Sequence, residues 1–142
     1  MRTILVIESN PLHEKLFSEL LQHYGYRVLL AREGAQGLSV ARREAADLMI
    51  IDCYLPAERP LQTIRAACGD KTMYPMPIIA TSAFADESEC DDLQAVGCVA
   101  FVPKPLSVGS FIATVKSALE GSAFSRPAAR AAPAELSALS GR

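Results

Sequence analysis

The segment Asp47-Leu-Met-Ile-Ile-Asp52 constrains this chain more than any other. Its four apolar residues do not alternate with polar ones, so a strand made from them is covered on both faces. Such strands belong to the interior of parallel sheets. Parallel neighbours need crossover connections, normally helices, and the flanking sequence supplies them. Residues 3–7 form a β-rich run. Asn10-Pro11 then reads as a helix cap followed by proline at the first helical position. Leu12, Leu16, Phe17, Leu20, Leu21 and Tyr24 recur at helical spacing, predicting an amphipathic helix over residues 11–24, which Gly25 ends.

The alternation continues to residue 120. Strands are expected over residues 26–31, 47–52, 77–82 and 98–102. Helices are expected over residues 34–45, 61–68 and 86–96, the last a polar helix with a thin apolar face. A final helix follows Ser107, with Val108, Phe111, Ile112, Val115 and Leu119 as its stripe. Strand followed by helix, five times over, implies one parallel sheet with helices on both faces. After residue 120 the composition turns to alanine, serine, proline and arginine. Residues 1–120 are therefore expected to form one domain and residues 121–142 a flexible tail, with a short helix near residues 134–139 as its one structured option.

Composition narrows the function. A net charge of −2, without basic or acidic blocks, gives no electrostatic case for nucleic acid or an anionic membrane. The tail is too short and polar for a DNA-binding domain. The opening Met-Arg-Thr carries one positive charge and leads into only four apolar residues, too few for a signal peptide. The cytoplasm is the default location. Cys53, Cys68, Cys90 and Cys98 form no C-x-x-C pair and have no neighbouring histidine, so a zinc site is disfavoured and reduced thiols are expected. His13 and His23 are expected to face solvent from the first helix. Asp86, Glu87, Glu89, Asp91 and Asp92 read as a solvated helix face, with selection of a basic partner as the alternative.

Chemistry in an open parallel sheet gathers at the carboxyl ends of its strands. Those ends carry Glu8-Ser9, Asp52, Ser82-Ala83 and, after the fifth strand, Pro103-Lys104-Pro105. Two acids, a hydroxyl and a lysine should therefore meet at one edge. Carboxylates so placed favour a bound cation such as Mg²⁺. A metal-neutralised aspartate can attack a phosphoryl group, and a hydroxyl and an ammonium can bind the oxygens of the product. The proline after Lys104 stiffens that turn, through a cis bond that aims the ammonium inward.

Four segments, in order and at the ends of alternate elements, now carry a resemblance: Ile4-Leu-Val-Ile-Glu-Ser-Asn10, Asp52 with Leu55-Pro56, Thr81-Ser82-Ala83, and Phe101-x-x-Lys104-Pro105. Over residues 2–120 the chain resembles the receiver domains of bacterial two-component response regulators. Lys15-Leu16-Phe17, Gly25-Tyr26, Arg32-Glu33-Gly34, Ala83-Phe84-Ala85 and Gly97-Cys98 resemble its single-domain members in particular. The resemblance implies a flavodoxin-like (CheY-like) sheet in the order 2-1-3-4-5 with five flanking helices. It implies Asp52 as phosphoacceptor, charged by a histidine kinase or phosphotransfer protein. Ser82 would be the switch hydroxyl, Phe101 the aromatic that reorients with it, and Lys104 the contact to the phosphoryl oxygens. Glu8, Asp52 and the Tyr54 backbone carbonyl would hold Mg²⁺. The last two helices and fifth strand would present the changed state to a downstream protein, from a monomer or weak homodimer.

Two positions depart from the family pattern. Receivers usually carry two adjacent acids after the first strand, and here the second is Ser9, a poor substitute for a carboxylate on a hard cation. Weakened Mg²⁺ binding and slow or absent phosphorylation are expected. Receivers also usually have a glycine four residues after Pro56. Here that place is Pro60, whose fixed φ and missing N–H cannot copy a glycine turn. Two readings stay open, a phosphorylation-controlled switch and a pseudo-receiver that binds partners without regulated phosphorylation. An aspartate-nucleophile phosphatase is disfavoured because Tyr54 stands where its general acid would be. A flavin site is disfavoured because the loop after the first strand is not a phosphate cradle.

Overall fold

A computed structural model describes residues 1–55, 60–70, 73, 75–83 and 87–121. The expected 2-1-3-4-5 order is the one observed, with β1 (Thr3–Ile7), β2 (Arg27–Ala31), β3 (Leu48–Asp52), β4 (Ile78–Ser82) and β5 (Ala100–Pro103) all parallel. The helices are α1 (Pro11–His23), α2 (Gly34–Glu44), α3 (Pro60–Gly69), α4 (Glu87–Val96) and α5 (Val108–Leu119). β1, β3 and β4 are buried along their whole length, as the unbroken apolar runs require, while β2 is a half-exposed edge.

The two-residue period of the strands divides the core into two layers. Leu5, Ile7, Met49, Ile51, Ile78, Ala80 and Phe101 face α2, α3 and α4. Ile4, Val6, Leu48, Ile50, Ile79, Ala100 and Val102 face α1 and α5, where Phe17 and Phe111 pack with ring centroids 5.5 Å apart. Continuing that alternation past the strand ends puts Glu8, Asp52 and Lys104 on the α1/α5 side. The site therefore opens beneath the first turn of α1.

Several local expectations are corrected. On α1 only Phe17 and Leu21 are buried, while Leu12 and Leu16 are exposed. Val108 is exposed at the start of α5, whose buried residues are Phe111, Ile112, Val115 and Ala118. The last strand begins at Ala100 rather than residue 98, because Cys98 N–H still donates to the Leu93 carbonyl as the α4 cap. Asn10 caps α1 as expected, its side chain accepting from Leu12 N at 2.9 Å. Ser107 precedes α5 without a side-chain cap bond. Pro60 opens α3, a helical first turn where its missing N–H costs nothing. Residues 122–142 of the tail expected over 121–142, the residues 56–59 before Pro60, and Asp86 of the acidic run lie outside the described residues.

One contact fixes the height of α2 over the site strand. A Cβ at Gly37 would meet Cδ1 of Ile7, and lie 2.7 Å from its Cγ1. Overpacking costs about 1–3 kcal/mol, against up to about 1 kcal/mol gained from replacing a helical glycine by alanine. Gly37→Ala is expected to lower stability by a net of about 1 kcal/mol, read as a lower denaturant midpoint. An unchanged midpoint would mean that Ile7 moves aside without cost.

Candidate functional site at the carboxyl edge of the sheet

The ends of β1, β3 and β5 deliver side chains to one place. Glu8 N donates to the Ala31 carbonyl at 3.0 Å, so β1 continues its pairing one residue beyond the strand and fixes the acid. Asp52 is the last residue of β3 and is paired in register with Thr81. Cys53 N donates to the Thr81 carbonyl at 2.8 Å, which holds the chain just after Asp52. Lys104 N donates to the Ser82 carbonyl at 2.9 Å, so the lysine is anchored by the end of β4. The Lys104–Pro105 peptide bond is cis, as the sequence suggested.

The centre of the site is one ammonium among three acceptors. Lys104 Nζ lies 2.9 Å from Glu8 Oε1, 3.4 Å from Asp52 Oδ1 and 3.1 Å from His13 Nδ1. Glu8 is only 1% exposed, so these partners stand in for the water its carboxyl gives up. Its other oxygen, Oε2, accepts from Asn10 N at 3.2 Å. Asp52 Oδ1 also accepts from Tyr54 N at 3.3 Å. Glu8, Ser9, Asn10, His13, Asp52, Tyr54, Ala83 and Lys104 line an open pocket of about 270 Å³. Water takes roughly 30 Å³ per molecule in the liquid, so the pocket has room for a small anionic group with its solvation.

Five of the seven expected site residues thus share one pocket: Glu8, Ser9, Asp52, Tyr54 and Lys104. Ser82 is buried at the end of β4, adjoining the lining residue Ala83. Phe101 is buried in the α2–α4 layer and is not among the residues lining the pocket. The expectation that His13 faces solvent holds only in part. It is half-exposed, yet its ring reaches the lysine at the centre of the site. The readable signal was position: His13, Phe17 and Leu21 fall at i, i+4 and i+8, one side of the helix. His23 is exposed at the far end of α1, edge-on to Tyr24.

Cys53, Cys90 and Cys98 are buried in the α2–α4 layer, with Cys68 packed partly buried against it. Burial, then the negative charges of Glu89 and Asp52, push the Cys53 thiol up to about 12. Burial likewise raises Cys68 and Cys98. Thiols held protonated are poor nucleophiles, which disfavours chemistry at Cys53 beside Asp52.

The sheet order, the strand-end acids and the lysine after β5 fit the receiver-domain resemblance. A family model, the response regulator receiver domain, matches residues 4–116. The chain belongs to this family. Receiver domains are signalling modules of two-component systems, and they commonly bind Mg²⁺ at the site of phosphorylation. This receiver domain is 34% identical over 118 residues to the polar-differentiation response regulator DivK of Brucella ovis, covering 83% of this chain and 96% of that one. The DivK of Brucella anthropi gives the same figures. Among solved structures, the chemotaxis protein CheY4 of Vibrio cholerae superposes with a TM-score of 0.79 at 21% identity, over 83% of this chain and 98% of that one. A response regulator from Thermotoga maritima gives 0.76 at 21% identity, over 84% and 98%. At that identity the two structures speak for the fold alone.

The donor chemistry of the receiver domain suits Mg²⁺ in kind and falls short in charge. Glu8, Asp52 and the Tyr54 carbonyl offer the oxygen atoms a hard cation takes. Ser9 contributes a neutral hydroxyl, and both carboxylates are shared with the Lys104 ammonium. Among the described residues no group of three or more His, Cys, Asp and Glu side chains is spaced to hold a metal as they stand. No helix among them is long and apolar enough to cross a membrane.

Proposed function

We propose that this protein is a single-domain response regulator, in which Asp52 accepts a phosphoryl group and the change is passed on by protein–protein contact. The supporting observation is the meeting of Asp52, Glu8 and Lys104 in one open pocket, with Lys104 Nζ 3.4 Å from Asp52 Oδ1. Residues 1–120 act as the receiver and residues 121–142 as a tail, in the cytoplasm, as a monomer or weak homodimer. The donor is a histidine kinase or phosphotransfer protein.

In the reaction an oxygen of Asp52 attacks phosphorus in line with the phosphohistidine P–N bond. That bond breaks, the imidazole departs and takes a proton from solvent, and an acyl phosphate remains on Asp52. Lys104 moves its ammonium from Asp52 Oδ1 to a phosphoryl oxygen, a charge-assisted hydrogen bond. Ser82 turns its hydroxyl toward the same group, and Phe101 repacks behind it. Glu8, Asp52 and the Tyr54 carbonyl would hold Mg²⁺, which when bound offsets the charge of the phosphoryl oxygens. The α4–β5–α5 surface then presents the change to a downstream protein.

Ser9 favours a second reading, a pseudo-receiver that binds partners without regulated phosphorylation. Incubation with acetyl phosphate and Mg²⁺, followed by intact mass, separates the two. The switch predicts one phosphoryl adduct in the wild type and none in Asp52→Ala. No adduct in the wild type, together with no Mg²⁺ binding by titration, supports the pseudo-receiver. Steady turnover of a small phosphate ester would instead indicate a phosphatase.

A further inference from the structure

The Lys104 ammonium carries hydrogens and no lone pair, so a hydrogen bond to His13 Nδ1 at 3.1 Å has only one polarity. Toward an ammonium Nδ1 can only accept, which calls for the ring hydrogen on Nε2. The alternative pairing, His13 Nδ1 with Glu8 Oε2 at 3.8 Å, is too long for a hydrogen bond and would aim an N–H at the ammonium. His13 is delivered by the first turn of α1, and the helix is fixed by Phe17 and Leu21 one and two turns further on. Its ring also lines an apolar hollow with Leu16, Phe17, Lys104, Pro105 and Leu106, which limits where the ring can go.

We infer that His13 is a positioning residue, a tether that holds the Lys104 ammonium at the Glu8 side of the site. The inference rests on the phosphoacceptor reading of Asp52 for its consequence. The ammonium sits nearer to Glu8 and His13 than to Asp52. A phosphoryl group on Asp52 must draw it away from both. Glu8 keeps its bond from Asn10 N, while half-exposed His13 exchanges a bond to the ammonium for a weaker one to water. His13 therefore biases the site against the phosphorylated state.

Two measurements test this on the full chain. In the unmodified protein, ring ¹⁵N spectra, taken at a pH where free imidazole is neutral, should show His13 unprotonated at Nδ1 with its hydrogen on Nε2. Lys104→Met should shift the Nδ1 signal. A ring hydrogen on Nδ1 overturns the tether whether or not Asp52 is ever phosphorylated. With acetyl phosphate and Mg²⁺, the ratio of phosphorylated to unmodified protein at fixed donor concentration should rise about three- to tenfold in His13→Phe, the scale of one ordinary hydrogen bond's net contribution. His13→Asn, which keeps an acceptor oxygen, should stay near the wild type. The opposite order, with the space-filling Phe like the wild type and Asn altered, assigns the ring a packing role and overturns the inference. Absence of any adduct in the wild type refutes the phosphoacceptor reading, and the ring spectra then decide the tether alone.

Discussion

Lys104→Met is expected to lower folding stability by about 3 kcal/mol and to make the remainder depend on Mg²⁺. Methionine keeps the length and the apolar stem, so the loss is that of the charge. Glu8 is 1% exposed and Lys104 is its nearest cation, at 2.9 Å. Asp52 shares the same ammonium at 3.4 Å. Without it two buried carboxylates face one another uncompensated, and breaking a buried pair from one side costs about 3–5 kcal/mol. The exposed pair Lys15–Glu19 is the control. Both its side chains are largely in water, so Lys15→Met should change stability by less than about 0.5 kcal/mol. For a domain of this size the Lys104 variant should melt roughly 10 °C lower. Mg²⁺ at a hundred times its dissociation constant should return about 2.7 kcal/mol, because it binds the folded state only. Thermal melts of both variants with and without Mg²⁺ check this. A Lys104 variant that melts with the wild type in the absence of Mg²⁺ would show that the ammonium does not hold the site together.

The residues of that cluster were legible because strand ends are. An apolar run closed by an acid, as in Leu48–Asp52, gives the strand, its direction and its terminal side chain at once. The same holds for Glu8 after β1 and Lys104 after β5. Helix faces were less legible. Counting apolar residues on α1 gave weight to Leu12 and Leu16, yet these are exposed and the buried line is Phe17 and Leu21. Periodicity finds a stripe without saying which of two adjacent stripes meets the sheet. That error in rotation hid His13, whose place is set by the buried line and not by its own chemistry. The cysteines read correctly as free, partly buried thiols, but their meeting in one layer was illegible for another reason. Cys53, Cys68, Cys90 and Cys98 come from four separate elements and loops, and only the crossovers bring them into one layer. Spacing along the chain carries no trace of that.

Ser9→Asp is the substitution that tests the metal side of the site, and its signature is a change of sign. Ser9 lines the pocket with Glu8 and Asp52. A unit charge placed about 4 Å from a cation interacts by about 4 kcal/mol at an effective dielectric near 20. Part of this is offset, because the new carboxylate repels Glu8 and Asp52 and gives up water. A net gain of about 1.4–2.7 kcal/mol raises Mg²⁺ affinity about ten- to a hundredfold, measured by calorimetric titration. The neutral Ser9→Asn should leave it near the wild type, since it adds an oxygen donor without charge. The same repulsion works against the variant when the metal is withheld. A third carboxylate around one ammonium should lower the melting temperature in chelator and raise it in excess Mg²⁺, whereas the wild type should move little between the two conditions. An affinity unchanged by the added charge would mean that the limit on Mg²⁺ lies elsewhere. Lys104 is then the obstacle, since its ammonium already neutralises both carboxylates and any metal must displace it. The Lys104→Met melts in Mg²⁺ would distinguish that case, because removing the ammonium would then strengthen metal binding where adding an acid did not.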